Sequence, residues 1–246
     1  MKILVCLSKA PDTTSKVAFT DNDSKFLEDK VTWIVNPYDE WYALVRALEL
    51  KETLGGTVTT ISVGGADYEP IIRKAFAIGA DDGVRIDLVA NDASVVAAQI
   101  AAYAQDKGFD LILCGKETID YNGSQVGSLL SAALDLPYIS LATKLTINGT
   151  LAEVDREIEG GKEICEVNLP ALISCQKGMA EARIPNMKGI MAARTKPLQV
   201  VAPVECASLT EVVKFELPAA KKGCHYLTAD QMDELVRLLH EEAKVI

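Results

Sequence analysis

The residue types best suited to chemistry lie between Gly115 and Ser128, where small and polar side chains replace the apolar ones before them. Small side chains leave room for a phosphate to approach the backbone amides, and the positive end of a following helix favours an anion. The small residues are Asn122, Gly123, Ser124 and Gly127. Because the stretch is neither G-x-x-x-x-G-K-[ST] nor G-x-G-x-x-G, it predicts either a phosphate cradle or an ordinary turn from strand to helix.

Catalytic and metal-binding side chains are sparse. The histidines, His225 and His240, both fall in the C-terminal fifth, which argues against Ser/His/Asp and Cys/His catalysis and against histidine metal sites. The carboxylates are spread along the chain and are not paired for acid–base work. The six cysteines are far apart, form no C-x-x-C pair and are typical of reduced core residues. We therefore expect no metal and no bond-making catalysis, and the polar loops favour the holding of a cofactor.

Composition places the chain among ordinary globular proteins. It has 246 residues, 49% hydrophobic and 24% charged, enough for one large α/β domain with an appendage. The formal net charge is -10, and no cluster of lysine and arginine could follow a phosphate backbone, which argues against nucleic acid as a partner. The apolar run after Met1 is too short for a signal peptide, and no stretch is long enough to cross a bilayer. We expect a cytoplasmic protein without direct membrane insertion.

Strand-like and helix-like segments alternate from Lys2 to Pro137. Apolar runs predict buried strands, and apolar residues at helical spacing predict helices between them. The predicted strands are 2–8, 57–63, 84–89 and 110–114, and the predicted helices begin near 36, 68, 93 and 125. Strict alternation predicts an α/β fold with a doubly wound, mostly parallel, Rossmann-like sheet and right-handed crossovers.

Loops at the carboxyl ends of neighbouring strands converge on one crevice in a sheet of this kind. Four such loops are expected here, at 6–15, 36–39, 63–66 and 115–128. Together they predict a site that encloses one nucleotide.

The pattern changes after Pro137. A hairpin is predicted at about 138–168, with Asn148-Gly149 as its turn, before another buried strand. From 176 to 203 the chain is basic and lacks a sustained apolar period, which predicts a long loop or arm and not a packed helix. Methionines among the cations favour an adaptable docking surface, and a loop pinned to its own domain is the alternative.

Two units are expected along the chain. The first is a nucleotide-binding α/β domain over 1–203, which includes the hairpin and the arm. The second is a C-terminal arm and helix over 204–246, in which Thr228 is predicted to cap an amphipathic helix over 229–244. The apolar face of that helix needs a partner, on this chain or another.

The chain resembles the beta subunit of electron transfer flavoprotein from Met1 through about Pro203, and several motifs occur in the family's order. They are Asn36-Pro37-Tyr38-Asp39-Glu40, Gly79-Ala80-Asp81, Gly115-Lys116-Glu117-Thr118-Ile119-Asp120, Gln125-Val126-Gly127, Arg156-Glu157-Ile158-Glu159-Gly160-Gly161, and the arm from Glu181-Ala182-Arg183 to Arg194-Thr195-Lys196-Pro197. On these motifs the chain is identified as a member of that family.

The resemblance implies a heterodimer in which an alpha subunit holds the redox-active FAD and this subunit buries an AMP. Tyr38 takes the position of an aromatic residue near the flavin ring, so the FAD would be shared with the alpha subunit, against which the C-terminal arm and helix would pack. Carried over to this sequence, the cofactor site comprises Cys6, Asn36, Pro37, Tyr38, Asp39, Val63, Gly115, Asn122, Gly123, Ser124, Gln125, Val126, Gly127 and Ser128.

The resemblance also assigns the arm at about 178–197 to the family's recognition loop. That loop docks acyl-CoA or other flavin dehydrogenases through an apolar residue, here Met187, with Arg183, Ile190 and Met191 beside it. A quinone reductase is a further candidate partner. The chain would then be an electron carrier subunit and not an enzyme by itself.

Three alternatives remain. Electron-bifurcating members of the family carry a second FAD in place of AMP, and the loop from Asp120 to Ser128 keeps only part of their Asp-Gly-Asp-Thr-Ala-Gln-Val-Gly-Pro pattern, which favours AMP. A regulator of the universal-stress type that binds ATP or AMP would share the fold but would not need the hairpin or the arm. An ATP-consuming ligase or sulfur-transfer enzyme would need Ser-Gly-Gly-x-Asp-Ser after the first strand, which the segment from Ser8 to Asp12 does not supply.

Overall fold

A computed structural model of the chain describes residues 1–221 and 223–246 and is built around one nine-stranded sheet. The strands are β1 (Lys2–Cys6), β2 (Lys9–Pro11), β3 (Phe19–Thr20), β4 (Lys25–Phe26), β5 (Trp33–Val35), β6 (Thr57–Val63), β7 (Asp82–Ile86), β8 (Leu111–Gly115), β9 (Tyr138–Asn148), β10 (Leu151–Ile158), β11 (Gly161–Asn168), β12 (Ala171–Cys175) and β13 (Leu198–Val201). β2 pairs with β5 and β3 with β4 in small separate ribbons, and the sheet has the order β11-β10-β9-β12-β8-β1-β6-β7-β13.

The central part of the sheet is parallel. Every neighbouring pair from β9 to β13 along this order runs in the same direction, whereas β10 and β11 are added antiparallel at one edge. From β1 the chain moves outward to β6 and β7 and then returns to β8 on the other side of β1. The topological switch point therefore lies between β1 and β8, and the loops that follow these strands diverge there to leave a crevice.

Helices cover both faces of the sheet. They are α1 (Asp39–Leu54), α2 (Glu69–Ile78), α3 (Ala93–Ala104), α4 (Val126–Leu134), α5 (Met187–Ala193) and α6 (Met232–Arg237), with a 3-10 turn at Ala66–Tyr68 and a π-helical continuation at Leu238–Ala243. Side chains alternate across β1, so that Ile3 and Val5 pack with α1 and α2, and Leu4 and Cys6 with α3 and α4. Over the described residues, no helix combines the length and the apolar character needed to cross a membrane.

The predicted α/β fold is confirmed, and the long hairpin is formed by β9 and β10 and widened by β11. The prediction of a loop without a packed helix over 176–203 is wrong. α5 packs against α2, and β13 extends the sheet beside β7. Both elements are too short to show a sustained apolar period, and tertiary contacts hold them. Arg73 donates hydrogen bonds to the carbonyl oxygens of Ala193 and Lys196 at 2.9 and 2.8 Å.

The C-terminal helix begins later than predicted. The Gln231 side chain accepts hydrogen bonds from the Thr228 amide and hydroxyl at 2.9 and 3.0 Å, so Thr228 donates to Gln231 and does not cap the helix. The helix runs from Met232 to Ala243, with apolar Met232, Leu235 and Val236 exposed.

Candidate functional site

A crevice of about 300 Å³ opens at the carboxyl ends of β1, β6 and β8. The loop after β8, residues 116–125, forms one wall, and the start of α3 forms another. The residues that the sequence predicted for the site and that line the crevice are Cys6, Val63, Gly115, Gly123, Ser124, Gln125 and Val126. The strand ends and loops at β1, β6 and β8 therefore meet as the topology requires, whereas loop 36–39, which was predicted to join them, does not line the crevice.

Asn36 ties the start of α1 to the loop after β8. Its side chain is fully buried; the amide nitrogen donates to the Glu117 carbonyl at 2.8 Å, and the amide oxygen accepts from Ile119 N at 3.1 Å. An asparagine supplies a donor and an acceptor at once, which no apolar residue of that size can do. Asn36 thus fixes the wall of the crevice instead of lining it.

Glu40 is a buried carboxyl group in the lining of the crevice, 7% exposed. One of its oxygens accepts from Ser8 N at 2.6 Å, and the Ser8 hydroxyl donates to the same carboxyl group. Burial raises the pKa of Glu40 to about 8; the bonds from Ser8 oppose this shift, and the carboxylates of Asp120 and Asp39 add to it. Near neutral pH the crevice therefore holds this group mostly as a neutral acid.

The charges around the crevice leave little cationic help for an anion. Lys9 pairs with Asp67, and Lys116 pairs with Glu117 at 3.0 Å. α4 begins at the same place, and no side chain from the described residues, 1–221 and 223–246, caps its first turn. The amides at the positive end of α4 are thus the groups available to a phosphate.

The segment after β13 passes beside the crevice and is held there by two buried side chains of the α3 region. Gln99 donates to the Val204 carbonyl at 2.7 Å and accepts from Val204 N at 2.8 Å. Asp92 lines the crevice, and the hydrogen bonds that Ser94 donates to its carboxylate lower the pKa of that group. The same carboxylate accepts bonds of 2.6 to 3.0 Å from Ser208 Oγ, Leu209 N and Thr210 N.

A larger groove, of about 920 Å³, lies between the start of α1, α2 and the arm that carries α5. Its aromatic residues are Tyr38, Trp41 and Tyr42, and cations line it as well: Arg73, Lys74 and Arg194. Tyr38 is 52% exposed and has φ 67 and ψ -66. With the Asp39 amide donating to the Pro37 carbonyl at 2.8 Å, this is a γ-turn of the strained kind.

The predicted residues thus fall into separate places. Pro37 and Tyr38 line the groove and not the crevice, and Asp39 is buried between the two. Gly127 is buried against Tyr138 and Cys114, whereas Asn122 and Ser128 are exposed on the loop and on α4. In the arm, Ile190 lines the groove, Met187 and Met191 are exposed, and Arg183 pairs with Glu52.

Several lining residues were not predicted from the sequence. Glu40 and Asp92 are the clearest of these, and each had a signal: Glu40 ends the Asn-Pro-Tyr-Asp-Glu motif, and Asp92 follows β7, whose carboxyl-end loop belongs to the same edge. Other lining residues that were missed are Ser8, Lys9, Tyr68, Lys116, Glu117 and Asp120. Within residues 1–221 and 223–246, no group of three or more His, Cys, Asp or Glu side chains could hold a metal ion.

Comparison with known proteins places this arrangement in a family. The family described as "Electron transfer flavoprotein domain" matches residues 23–205. The chain is 39% identical to the electron transfer flavoprotein subunit beta of Bacillus subtilis, with all of both chains covered. It is 29% identical to the human subunit of the same name, over all of this chain and 99% of the human one.

One of the relatives carries a different name. The caffeyl-CoA reductase-Etf complex subunit CarD of Acetobacterium woodii is 31% identical, over 99% of this chain and 98% of its own. The family match covers most of the chain, and the relatives are matched over nearly their full length. The chain therefore belongs to the electron transfer flavoprotein family and is a beta subunit of it.

Proposed function

We propose that this beta subunit holds one AMP in the crevice, forms a wall of the FAD site of its alpha subunit at the groove, and docks flavin dehydrogenases through α5. The observation that carries the proposal is the segment from Asn36 to Glu40. Glu40 lines the crevice, and Pro37 and Tyr38 line the groove. One short segment therefore separates a site of nucleotide size from an exposed aromatic surface.

The crevice suits AMP in size and in chemistry. A volume of about 300 Å³ lies at the lower end of the range of ligand pockets. The apolar side chains of Ile61, Val63 and Val96 offer surface for a planar base. The phosphate would lie at the start of α4 and accept from its backbone amides, because the lining lysines, Lys9 and Lys116, are paired with Asp67 and Glu117.

The groove suits a shared flavin wall and a docking surface. Tyr38 would contact the FAD held by the alpha subunit, and that FAD supplies the capacity to accept and deliver electrons. Ile190 of α5 lines the same groove, and Met187 is 73% exposed beside it. A dehydrogenase bound to α5 would thus be brought next to Tyr38, while this chain orients the partners and excludes water without making or breaking a bond.

A second FAD in place of AMP is the candidate next to this one. FAD contains an adenylate half, so the crevice could accept that half while the flavin half extends past loop 116–125. Two relatives are named as parts of reductase systems: the subunit CarD of Acetobacterium woodii and the acryloyl-CoA reductase electron transfer subunit gamma of Anaerotignum propionicum. The small volume of the crevice favours AMP.

The test is the nucleotide content of the chain co-expressed with its alpha subunit. The heterodimer is denatured, and the released nucleotides are separated by chromatography and counted per heterodimer. One FAD and one AMP would support the proposal, whereas two FAD would support the second candidate. ATP bound to a lone chain, without flavin, would contradict both and favour a regulator of the universal-stress type.

A further inference from the structure

α5 is fixed to α2 by a backbone contact that depends on one glycine. A Cβ atom placed on Gly189 would lie 2.0 Å from the carbonyl oxygen of Ala77, in the last turn of α2. No side-chain rotation can relieve a contact with a backbone atom, so the helices could touch in this way only with glycine at 189. Asn186 caps the start of α5 by accepting from Gly189 N at 2.8 Å.

The other end of α5 is held by charged groups. Arg73 of α2 donates to the carbonyl oxygens of Ala193 and Lys196. Its guanidinium group also donates to a carboxylate oxygen of Glu69 at 2.9 Å, which fixes its orientation. Lys196 donates to the carbonyl oxygens of Phe76 and Ala80, at the end of α2. These bonds satisfy carbonyl groups that a helix end leaves free. α5 is thus fixed at its centre and at its end.

The apolar side chains that α5 presents are not needed for this attachment. Met187 and Met191 are 73% and 56% exposed, whereas Ala193, which faces the domain, is 3% exposed. If this segment only had to adapt its two exposed methionines to a partner, the backbone contact at Gly189 and the hydrogen bonds from Arg73 would not be needed. The attachment keeps the exposed face in one orientation.

We propose that Gly189 and Arg73 are positioning residues that hold α5 on α2, so that its apolar face meets a dehydrogenase in one preformed arrangement. The inference rests on the proposed docking function. It differs from the adaptable surface expected from the sequence, because a preformed face binds without the cost of ordering a loop. If α5 were seated only about one tenth of the time, the apparent affinity would fall about tenfold.

The test compares heterodimers that carry Gly189→Ala and Met187→Ala, with Gly161→Ala as the matched glycine control. Alanine favours helix formation over glycine, so Gly189→Ala would keep or improve docking if α5 needed only to be helical. Gly161 has open space around its Cβ position. Amide hydrogen exchange over 187–193, FAD content, and KM and kcat with a reduced flavin-dependent acyl-CoA dehydrogenase are measured for each heterodimer.

Gly189→Ala should abolish exchange protection in α5 and raise KM about tenfold, while kcat and FAD content stay unchanged. The control Gly161→Ala should behave like the wild type in every measurement. Arg73→Lys is the second variant, for the case in which Gly189→Ala fails to fold. It keeps the positive charge but loses the planar guanidinium group that donates two hydrogen bonds, so it should shift exchange protection and KM in the same direction. An unchanged KM in Gly189→Ala, or a raised KM with protection intact, would overturn the inference even if Met187→Ala raises KM. If Met187→Ala also leaves KM unchanged, the docking function itself is wrong.

Discussion

The crevice and the groove share one wall but are built in opposite ways. The crevice is small and is shaped by buried polar groups, of which Asn36 and Glu40 are 0% and 7% exposed. The groove is about three times larger, 920 against 300 Å³, and its main features are exposed aromatic and apolar side chains. Buried polar groups are costly to leave unpaired, whereas exposed apolar ones contribute little to folding.

The difference predicts two kinds of variant. Changes in the crevice should lower the stability of the chain and its nucleotide content together, because the same bonds shape both. Changes in the groove should leave stability nearly unchanged and affect only the proposed contacts with the alpha subunit and the dehydrogenase. A crevice variant that keeps its nucleotide, or a groove variant that unfolds the chain, would break the comparison.

The largest effect is expected from Asn36→Leu. It leaves the Glu117 carbonyl and the Ile119 amide without their partner in a buried place, and at about 1–3 kcal/mol for each group the free energy of unfolding should fall by about 4 kcal/mol. If the crevice holds AMP as proposed, the AMP should be lost at the same time. Urea unfolding and nucleotide analysis measure the two effects, and Asn168→Leu, at an exposed position on β11, is the matched control.

Glu40→Gln should change how stability depends on pH. The folded pKa of about 8 lies above the usual 4.5, so the folded chain binds more protons than the unfolded one between these values, and stability falls as pH rises. Between pH 6 and 8.5 the wild type should lose about 2.5 kcal/mol from this group, and the variant should not. Urea unfolding at several pH values tests this; parallel pH profiles for both proteins would show that Glu40 does not titrate there.

The sequence predicted the edge of the sheet at which the crevice lies, because alternation of strands and helices dictates where the loops converge. It did not predict how the walls are fixed. Asn36 and Glu117 are 81 residues apart, and no local pattern announces their hydrogen bond. α5 and β13 were missed for a similar reason, since Arg73 and Gly189 hold them through contacts that only the folded chain creates.

On the groove side, Met187→Ala should weaken electron transfer from a dehydrogenase while AMP and FAD contents stay the same. An exposed apolar anchor contributes about 1 kcal/mol to an interface, so KM for the heterodimer should rise about fivefold. Ile164→Ala, which removes an apolar side chain 68% exposed on β11, is the control and should have no effect. Loss of FAD in Met187→Ala would contradict its assignment to docking.

Only a small change in stability is expected where the two sites meet, in Tyr38→Gly. The strained turn at φ 67 costs about 1–3 kcal/mol with tyrosine, and glycine relieves this strain. Glycine also adds about 0.5–1 kcal/mol of unfolded-state entropy and loses the contacts of the ring, which offsets the gain. The free energy of unfolding should therefore stay within about 1 kcal/mol of the wild type. Tyr103→Gly, in α3 and outside the groove, is the matched control: it places glycine inside a helix without relieving any strain, and should destabilise the chain by more than about 1 kcal/mol. The heterodimer with Tyr38→Gly should nevertheless bind FAD more weakly, because the exposed ring is removed from the groove. Equal destabilisation by the two variants would show that Tyr38 belongs with the packed residues, and that the groove is not independent of the fold.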